Sequence, residues 1–354
     1  MFEMFDLRHV LPGGNAAELE SRPVAVLLLA TAAITVVALV FRPGYAGYGF
    51  ATFLALAAVG WYFRQATTAY VLAFVATLSA LLTIGFIIVF LFLRASPAVV
   101  EHGPGLFTRL GSYWDPASGR YSLVAMIWGT ALTTVIAGVV AAPLGVLGAL
   151  YISEIASPSV RETVKPGIEI LAGIPSIVYG YIGFMILNDY ARVVWNDGDY
   201  GSFLMAGVVI GVMALPTVVS VSEDALESVP DEMRDGSVAM GATQWQTMKS
   251  ISLPAAVSGI SAAIILGIGR AIGETMAAAS ILGAHVQLPA PLWDAFATGS
   301  TLTTLIATHF GNASGSSMTV LFVAGVLLFV IVAILSVISQ IIERRMKRRL
   351  QGES

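Results

Sequence analysis

Arg270 and Glu274 are the two residues whose types and spacing point most directly to chemistry. They lie four residues apart in an otherwise apolar stretch, Gly259 to Ala284, which is long enough to cross a bilayer. A charged side chain near the bilayer centre costs at least about 2.5–3.5 kcal/mol on insertion scales. Residues four apart share one face of a helix, so both side chains can point inward, away from lipid. The pair therefore predicts a transport path or a relay.

The elements that must position this pair are transmembrane helices. The chain has 354 residues, of which 57% are hydrophobic and 11% are charged, and its mean hydropathy is +0.83. Stretches of about 20 apolar residues, enough to span roughly 30 Å of hydrocarbon, recur along it. The pattern predicts an all-α polytopic integral membrane protein with about eight transmembrane helices. The predicted spans are 24–41, 45–63, 69–93, 122–151, 168–187, 203–221, 259–284 and 319–342.

Lysine and arginine are unevenly distributed between the predicted loops. With both termini in the cytoplasm, 12 of the 18 basic residues lie inside, five lie outside, and Arg270 lies in the membrane. Because basic residues favour cytoplasmic loops, the sequence predicts this orientation. The predicted outside loops are 94–121, 188–202 and 285–318, and the inside loops are 64–68, 152–167 and 222–258.

The inside loop at 222–258 differs from the others, since it carries six acidic and two basic residues. Pro230 is suited to the start of a helix, and Gly241 to its end. Thr243, followed three residues later by glutamine, fits a capping box that opens a second helix, which Pro254 then closes. The spacing predicts a cytoplasmic helix–turn–helix that docks into another protein. An ordinary amphipathic loop is the alternative.

The same loop carries a resemblance to a known family. Asp235 to Gly241, followed by Ile251-Ser-Leu-Pro254, resembles the EAA loop of ABC-transporter permeases: Glu-Ala-Ala, three residues, Gly, nine residues, Ile-x-Leu-Pro. The Gly, Ile, Leu and Pro spacings match, whereas Glu-Ala-Ala reads Asp-Gly-Ser here. In that family this loop is the coupling helix, seated in a groove of the ATPase subunit. Within a coupling loop at 222–254, the resemblance implies ATPase contact by Asp235, Gly236, Ser237, Gly241, Ala242 and Thr243.

Three further segments are similar to the phosphate permeases of this family. They are Leu171-Ala-Gly-Ile-Pro-Ser-Ile-Val-Tyr-Gly180, the Gly-Arg-Ala-x-Gly-Glu-Thr stretch within Gly267 to Met276, and Trp114-Asp-Pro116. The last resembles an external segment of the PstC-type subunit. The sister PstA type has Ala-Pro after Gly-Glu-Thr, where this chain has Met276-Ala277, so the PstC type is favoured. The resemblance covers roughly residues 69–345.

This resemblance implies a permease subunit of an ATP-driven phosphate importer, with a core of the type I ABC permease (MetI-like) fold. The implied partners are a PstA-like permease in a heterodimer, two copies of an ATPase subunit, an external phosphate-binding protein, inorganic phosphate and membrane lipid. The implied location is the plasma membrane of a prokaryote. The implied divisions are an N-terminal extension with two extra transmembrane helices at 1–68, a first family-like helix and external segment at 69–121, the permease core at 122–345, and a basic cytoplasmic tail at 346–354.

Arg270 suits an anion path in its own right, because a guanidinium offers a flat fork of donors matched to phosphate oxygens and stays charged. In a helix that begins near Gly259, Arg270 lies roughly 16 Å along at 1.5 Å per residue, near the midplane. We hypothesise that Glu274 holds Arg270 in the resting state and that phosphate competes for it during passage. A structural ion pair that fixes helix packing is the alternative. Thr275 joins the predicted pathway.

Pro175 and Ser176 are also placed near the path, because a proline in a membrane span bends or breaks the helix. Two pairs of glycines spaced four residues apart allow close helix contact and predict packing: Gly207 with Gly211, and Gly269 with Gly273.

Several kinds of site are excluded. The three lysines never follow a glycine, so a P-loop is absent and ATP hydrolysis belongs to a separate subunit. The chain has no cysteine, its histidines lack metal-ligand spacing, and no basic patch with aromatics points to nucleic acid. We therefore predict no catalytic residue, metal or cofactor. The alternatives left open are a PstA-type or other oxyanion permease, an ion-coupled secondary transporter, which would show inverted repeats, and a membrane anchor without a path.

Overall fold

The structure, a computed structural model, describes residues 22–111, 114–195 and 201–350. These residues include two very short strands, β1 Trp114–Asp115 and β2 Arg120–Tyr121. The predicted extension at 1–68 and the tail at 346–354 lie partly outside these residues. The helices are α1 Arg22–Phe41, α2 Pro43–Phe63, α3 Gln65–His102, α4 Gly105–Thr108, α5 Val124–Leu150, α6 Pro158–Gly173, α7 Ser176–Ile182, α8 Asn188–Trp195, α9 Phe203–Glu227, α10 Asp231–Ala239, α11 Gln244–Thr247, α12 Leu253–Gly273, α13 Met276–Leu282, α14 Leu302–His309 and α15 Ser316–Leu350.

Membrane-length apolar helices dominate these ranges. Within the described residues, seven helices are long and apolar enough to cross a membrane, or eight if the bent pair α6–α8 counts as one span. The predicted all-α polytopic class is confirmed. The chain divides into two compact units, Met1–Phe90 and Leu91–Ser354, and the division falls inside α3.

In the first unit, α1 packs against α2, and the single arginines Arg42 and Arg64 separate α1, α2 and the first part of α3. Its core consists of small and apolar side chains from all three helices, namely Ala25, Leu28, Phe53, Ala57 and Val71. Gly60 lies against Thr68, whose hydroxyl oxygen would be 2.6 Å from a Cβ at position 60. A side chain here would force Thr68 to shift, so the glycine allows α2 to approach α3 closely.

In the second unit, α9 lies at the centre and packs against α5 and α12. A Cβ at Gly207 would lie 2.6 Å from Ile136, and one at Gly211 would lie 2.8 Å from Val140. The predicted packing role of this glycine pair is confirmed, because the missing side chains let α9 approach α5 closely. Gly269, in contrast, meets no atom within 4 Å, nor does Gly273, so the packing role predicted for that pair is wrong within this chain.

The segment predicted as an outside loop at 94–121 is partly regular structure. α3 continues to His102, and β1 pairs antiparallel with β2, with Trp114 opposite Tyr121. Asp115 closes the turn, since its carboxylate accepts hydrogen bonds from the Ser118 hydroxyl and from the backbone N–H groups of Ser118 and Ala117. These bonds, the Ser118 hydroxyl foremost, hold the pKa of Asp115 below its usual value. The hairpin packs on α14 through Trp114 and His309, whose ring centroids are 5.0 Å apart.

The single span predicted at 168–187 is wrong. α6 ends at Gly173, α7 begins at Ser176, and the two segments meet at 88°. Pro175 disfavours helical geometry in the residue before it, and Ile174 is extended, with φ −68° and ψ 126°.

The single helix predicted at 259–284 is also wrong. α12 ends at Gly273 and α13 begins at Met276, because Glu274 adopts an extended backbone with φ −67° and ψ 124°. The outside loop predicted at 285–318 contains α14, which starts with a capping box formed by Thr301 and Thr304.

Candidate functional site

Arg270 lies in the last turn of α12 and makes a hydrogen bond to α9. Its Nη1 donates to Thr217 Oγ1 at 3.0 Å, while the side chain remains exposed. The guanidinium borders a cavity of about 580 Å³, whose polar lining also includes Thr217, Ser336, Ser339 and Gln340. An arginine carries five N–H donors, and in the described part of the chain one is engaged with Thr217. Apolar side chains make up most of the lining, and the Arg270 guanidinium supplies its charged donors, which suit an oxyanion.

Glu274 does not pair with Arg270 in this structure. Its Oε1 accepts hydrogen bonds from the backbone N–H groups of Thr275, at 3.1 Å, and Ala277, at 3.3 Å. The ion pairs within 4.0 Å among the described residues do not join the two side chains. The predicted spacing argument fails because the helix ends between them. Glu274 instead caps α13, where a negative charge is favourable at the positive helix end.

The break between α12 and α13 borders a second cavity, of about 480 Å³. Thr275 and Gly273 line it from the break, and Thr303 lines it from α14. Thr303 Oγ1 donates to the carbonyl of Glu274 at 2.9 Å, and Thr275 Oγ1 donates to the carbonyl of Gly273 at 3.1 Å. Val332 lines both cavities. Irregular backbone at membrane depth is tolerated where it lines such a cavity.

The two predicted motif segments meet through α7 and α13. A Cβ at Gly180 would lie 2.8 Å from Ser280 Cβ and 2.9 Å from Ala277 Cα, so the two helices are in close contact. The phenol of Tyr179, on α7, donates to the carbonyl of Leu171 at 3.0 Å.

Pro175 and Ser176 form the bend before α7. Pro175 is exposed and Ser176 is half-buried. Neither takes part in a described side-chain hydrogen bond with Arg270 or Glu274. Their place in a pathway stays a prediction.

Two residues at this site were not singled out from the sequence: Thr217 and Thr303. Thr217 follows Pro216 within an apolar span, which is the one local signal that marked it. Hydroxyls in apolar spans commonly bond a nearby carbonyl, so their selection as partners of Arg270 or Glu274 needed the tertiary structure.

The coupling loop forms the predicted helix–turn–helix. α10 follows Pro230, Gly241 has φ +87°, and Thr243 forms the capping box with Gln246, whose Oε1 accepts from Thr243 N at 2.8 Å. The expectation that Pro254 closes the second helix is wrong. Pro254 lies in the first turn of α12, where a missing N–H is harmless, and the loop continues into that helix through a π turn at Met248–Ser252.

The loop presents an apolar surface. Met240 is 88% exposed and Trp245 is 64% exposed, and Met233 and Val238 are exposed beside them. Four of the residues predicted to contact a partner are exposed: Asp235, Gly236, Gly241 and Thr243. Ala242 is half-buried. Ser237 is buried, and its Oγ lies 3.0 Å from Thr247 Oγ1. Ser237 therefore holds α10 against α11 from within.

Comparison with known families identifies the class of the chain. The sequence profile described as "Binding-protein-dependent transport system inner membrane component" matches residues 141–348, more than half of the chain. The chain belongs to this family. It is a multi-span membrane permease of the ABC-importer type. The family membership predicted from the loop at 222–254 is confirmed.

Similar proteins come from both bacteria and archaea. "Probable ABC transporter permease protein YqgH" of Bacillus subtilis is 38% identical over 207 residues, which cover 58% of this chain and 66% of that protein. "Phosphate transport system permease protein PstC" of Xylella fastidiosa is 32% identical over 256 residues, covering 67% and 78%. "Probable phosphate transport system permease protein PstC" of Methanocaldococcus jannaschii is 33% identical over 274 residues, covering 70% and 84%. The predicted resemblance to PstC-type permeases is confirmed.

Two solved structures share the fold. A bacterial alginate ABC transporter matches with a TM-score of 0.53 and 17% identity, over 77% of this chain and 95% of that one. The MetNI methionine ABC transporter, in an inward-facing conformation, matches with a TM-score of 0.50 and 22% identity, over 63% and 95%. The type I ABC permease fold is thereby confirmed for the core.

Proposed function

We propose that this chain is the PstC-type permease subunit of an ATP-driven phosphate importer and that Arg270 binds phosphate during passage. The observation that carries the proposal is the Arg270 guanidinium, held by Thr217 at 3.0 Å on the edge of a cavity of about 580 Å³. Relatives named as phosphate permeases support the choice of phosphate among oxyanions. Glu274, Thr275, Pro175 and Ser176 complete the proposed pathway.

The proposed assembly contains a PstA-like permease, two ATPase subunits and an external phosphate-binding protein, in the plasma membrane of a prokaryote. Relatives of this class are permease subunits that carry no ATPase site of their own. The exposed apolar side chains of Met240 and Trp245 support an ATPase contact at the coupling loop. Twelve of 18 basic residues favour an orientation with both termini in the cytoplasm.

The proposed mechanism is alternating access. ATP closes the ATPase dimer, the coupling loop moves, and the membrane helices open outward to receive phosphate from the binding protein. Phosphate then replaces Thr217 as the partner of Arg270, because a charged fork binds a phosphate oxygen pair more strongly than one hydroxyl. ATP hydrolysis returns the helices to the inward-facing state.

The test is uptake of radiolabelled phosphate into proteoliposomes that contain the full complex and its binding protein, with and without internal ATP. We expect uptake that requires ATP, is lost in Arg270→Gln and is strongly reduced in Arg270→Lys, since lysine keeps the charge but lacks the fork. Arg109→Gln, which removes an arginine outside the predicted spans, is the control for loss of charge.

Other outcomes separate the alternatives. Uptake without ATP would identify an ion-coupled transporter, and full uptake by Arg270→Gln would leave Arg270 with a structural role. Competition by unlabelled sulfate or molybdate, equal to that by phosphate, would identify a permease for another oxyanion.

A further inference from the structure

Arg234 bridges three elements at the start of the coupling loop. It lies on α10, and its Nη2 donates to the carbonyl of Leu226 at the end of α9, at 2.6 Å. The same Nη2 lies 3.4 Å from Glu154 Oε1, in the π turn Tyr151–Ile155 that continues α5. Nη1 donates to Asp231 on the solvent side at 3.2 Å. The guanidinium thus connects α10 to the ends of both α5 and α9.

A second bond attaches the loop to the same residue. The amide Nε2 of Gln244, at the start of α11, donates to the backbone carbonyl of Glu154. Both short helices of the loop therefore meet α5 at Glu154, one through its carboxylate and one through its backbone.

The Arg234–Glu154 pair joins a half-buried arginine to a buried carboxylate and is incompletely bonded. The side chain of Glu154 is 8% exposed and that of Arg234 is 23% exposed. Glu154 Oε1 and Arg234 Nε are both buried, and neither makes a hydrogen bond among the described residues. The 3.4 Å contact joins Oε1 to Nη2 and is an ion pair only. Most buried side-chain polar atoms have at least one hydrogen-bond partner, and a buried ion pair needs further hydrogen bonds to offset its desolvation. Because this pair is incompletely bonded, its contact can break and form again when α10 moves.

The neighbouring ion pairs join elements other than α10. Lys165 on α6 lies 3.1 Å from Glu223 on α9, and Arg161 lies 3.6 Å from Glu227. Arg161 also donates to the carbonyl of Ile152 at 3.0 Å. These contacts tie α6 to α9 and to the end of α5, but they do not reach α10.

The chain between α9 and α10 is a short turn, Ser228 to Pro230. If nothing else joined the two helices, α10 could move by rotation about the backbone bonds of this turn, and the movement would not reach α9. α5 and α9 are in close contact at Gly207 and Gly211, where a Cβ would lie under 3 Å from Ile136 or Val140. An arginine that clamps α10 to both helices converts the turn into a rigid connection.

Resting on the proposed function, we propose that Arg234, clamped between Glu154 and the Leu226 carbonyl, transmits the ATP-driven movement of the coupling loop to the α5–α9 pair. Arg234 is a positioning residue that neither touches phosphate nor takes part in ATP hydrolysis.

The experiment uses the complete complex in proteoliposomes and measures phosphate transported per ATP hydrolysed, beside assembly of the complex. We expect Glu154→Gln and Arg234→Gln to lower that ratio by at least about fivefold, the size of a site-to-site coupling, with basal ATP hydrolysis retained. Glu154→Gln preserves volume and the backbone bond to Gln244. Asp231→Asn, which removes a solvent-exposed partner of the same arginine, is the matched control and should leave the ratio unchanged.

The double variant distinguishes a shared link from two separate defects. If the residues act through one contact, Glu154→Gln combined with Arg234→Gln loses no more than the larger single loss, whereas independent effects multiply. Multiplied losses would overturn the proposal, as would an unchanged ratio in the assembled single variants. Should Arg234→Gln fail to assemble, Arg234→Lys keeps the charge and is expected to show an intermediate loss. A wild-type complex without ATP-dependent phosphate uptake would instead refute the proposed function.

Discussion

Arg270 on α12 and Thr217 on α9 are joined by a hydrogen bond of 3.0 Å, from Nη1 to Oγ1. Thr217 follows directly after Pro216, which lies inside α9. The bond places the intramembrane cation of one helix against the hydroxyl of another, at the edge of the larger cavity. Thr217 thereby takes the position that the sequence had assigned to Glu274 as the partner of Arg270.

Replacing Thr217 with valine tests whether this bond competes with an anion. A hydrogen bond to a charged group contributes about 1.5–3 kcal/mol. If phosphate must displace Thr217, Thr217→Val should bind phosphate at least about tenfold more tightly, since 1.4 kcal/mol is a factor of ten. Equilibrium dialysis of the solubilised complex, without the binding protein, measures the affinity. Thr217→Ser keeps the hydroxyl and should match wild type. Equal affinities in all three proteins would contradict the competition.

Glu274 provides a test of capping against charge. Its carboxylate accepts from the N–H groups of Thr275 and Ala277 at the start of α13. Loss of a cap costs about 0.5–2 kcal/mol. We expect Glu274→Ala to lower the free energy of unfolding of the purified protein by that amount, as measured by thermal unfolding. Glu274→Gln retains a carbonyl acceptor and should lower it less. Identical losses in the two variants would show that the charge, and not the acceptor, supports this break.

The two glycine pairs predict opposite responses to alanine. A Cβ at Gly207 or Gly211 meets Ile136 or Val140 at under 3 Å, and such overpacking costs about 1–3 kcal/mol. Gly269 meets nothing within 4 Å, so Gly269→Ala should be neutral or stabilising by up to about 1 kcal/mol, because glycine weakens a helix interior. Thermal unfolding in detergent compares the three variants. A large loss of stability in Gly269→Ala would contradict the packing described.

A buried hydrogen bond joins α5 to the start of α14. Thr130 Oγ1 accepts from the backbone N–H of Leu302 at 2.9 Å, and Thr130 is 5% exposed. Thr130→Val leaves this N–H buried and unpaired, which costs about 1–3 kcal/mol. We expect faster hydrogen exchange at the start of α14 and a lower unfolding temperature. Thr130→Ser should restore both, and protection that persists in the valine variant would argue against this bond.

The exposed apolar surface of the coupling loop predicts a hot spot for the ATPase subunit. Met240 and Trp245 are 88% and 64% exposed, and burial of such side chains at the centre of an interface often contributes at least about 2 kcal/mol. Met240→Asp and Trp245→Asp should sharply reduce co-purification of the ATPase subunit. Thr243→Ser, which preserves the capping hydroxyl, serves as the control. Undiminished co-purification in both aspartate variants would place the contact elsewhere.

Several features of this protein were determined by the sequence alone, because the interactions behind them are local. Runs of apolar residues determined the membrane helices, since the hydrophobic length of a bilayer acts on contiguous segments. The turn at Gly241 and the capping box at Thr243 were predicted correctly, because both depend on residues within one helical turn. The spacing of the coupling loop and the phosphate-permease segments also sufficed to recognise the family.

The partners of the charged residues were decided by the tertiary structure. Arg270 bonds a residue 53 positions away, and Arg234 meets Glu154, which is far from it in sequence and lies at the end of another helix. The helix break at Glu274 and Thr275 separates a pair that a continuous helix would have joined. Hydropathy treats that stretch as one span, because the break depends on groups it does not register: a carboxylate that caps α13 and a Thr303 hydroxyl that binds the Glu274 carbonyl. Such choices depend on which helices pack side by side, and no local pattern contains that information.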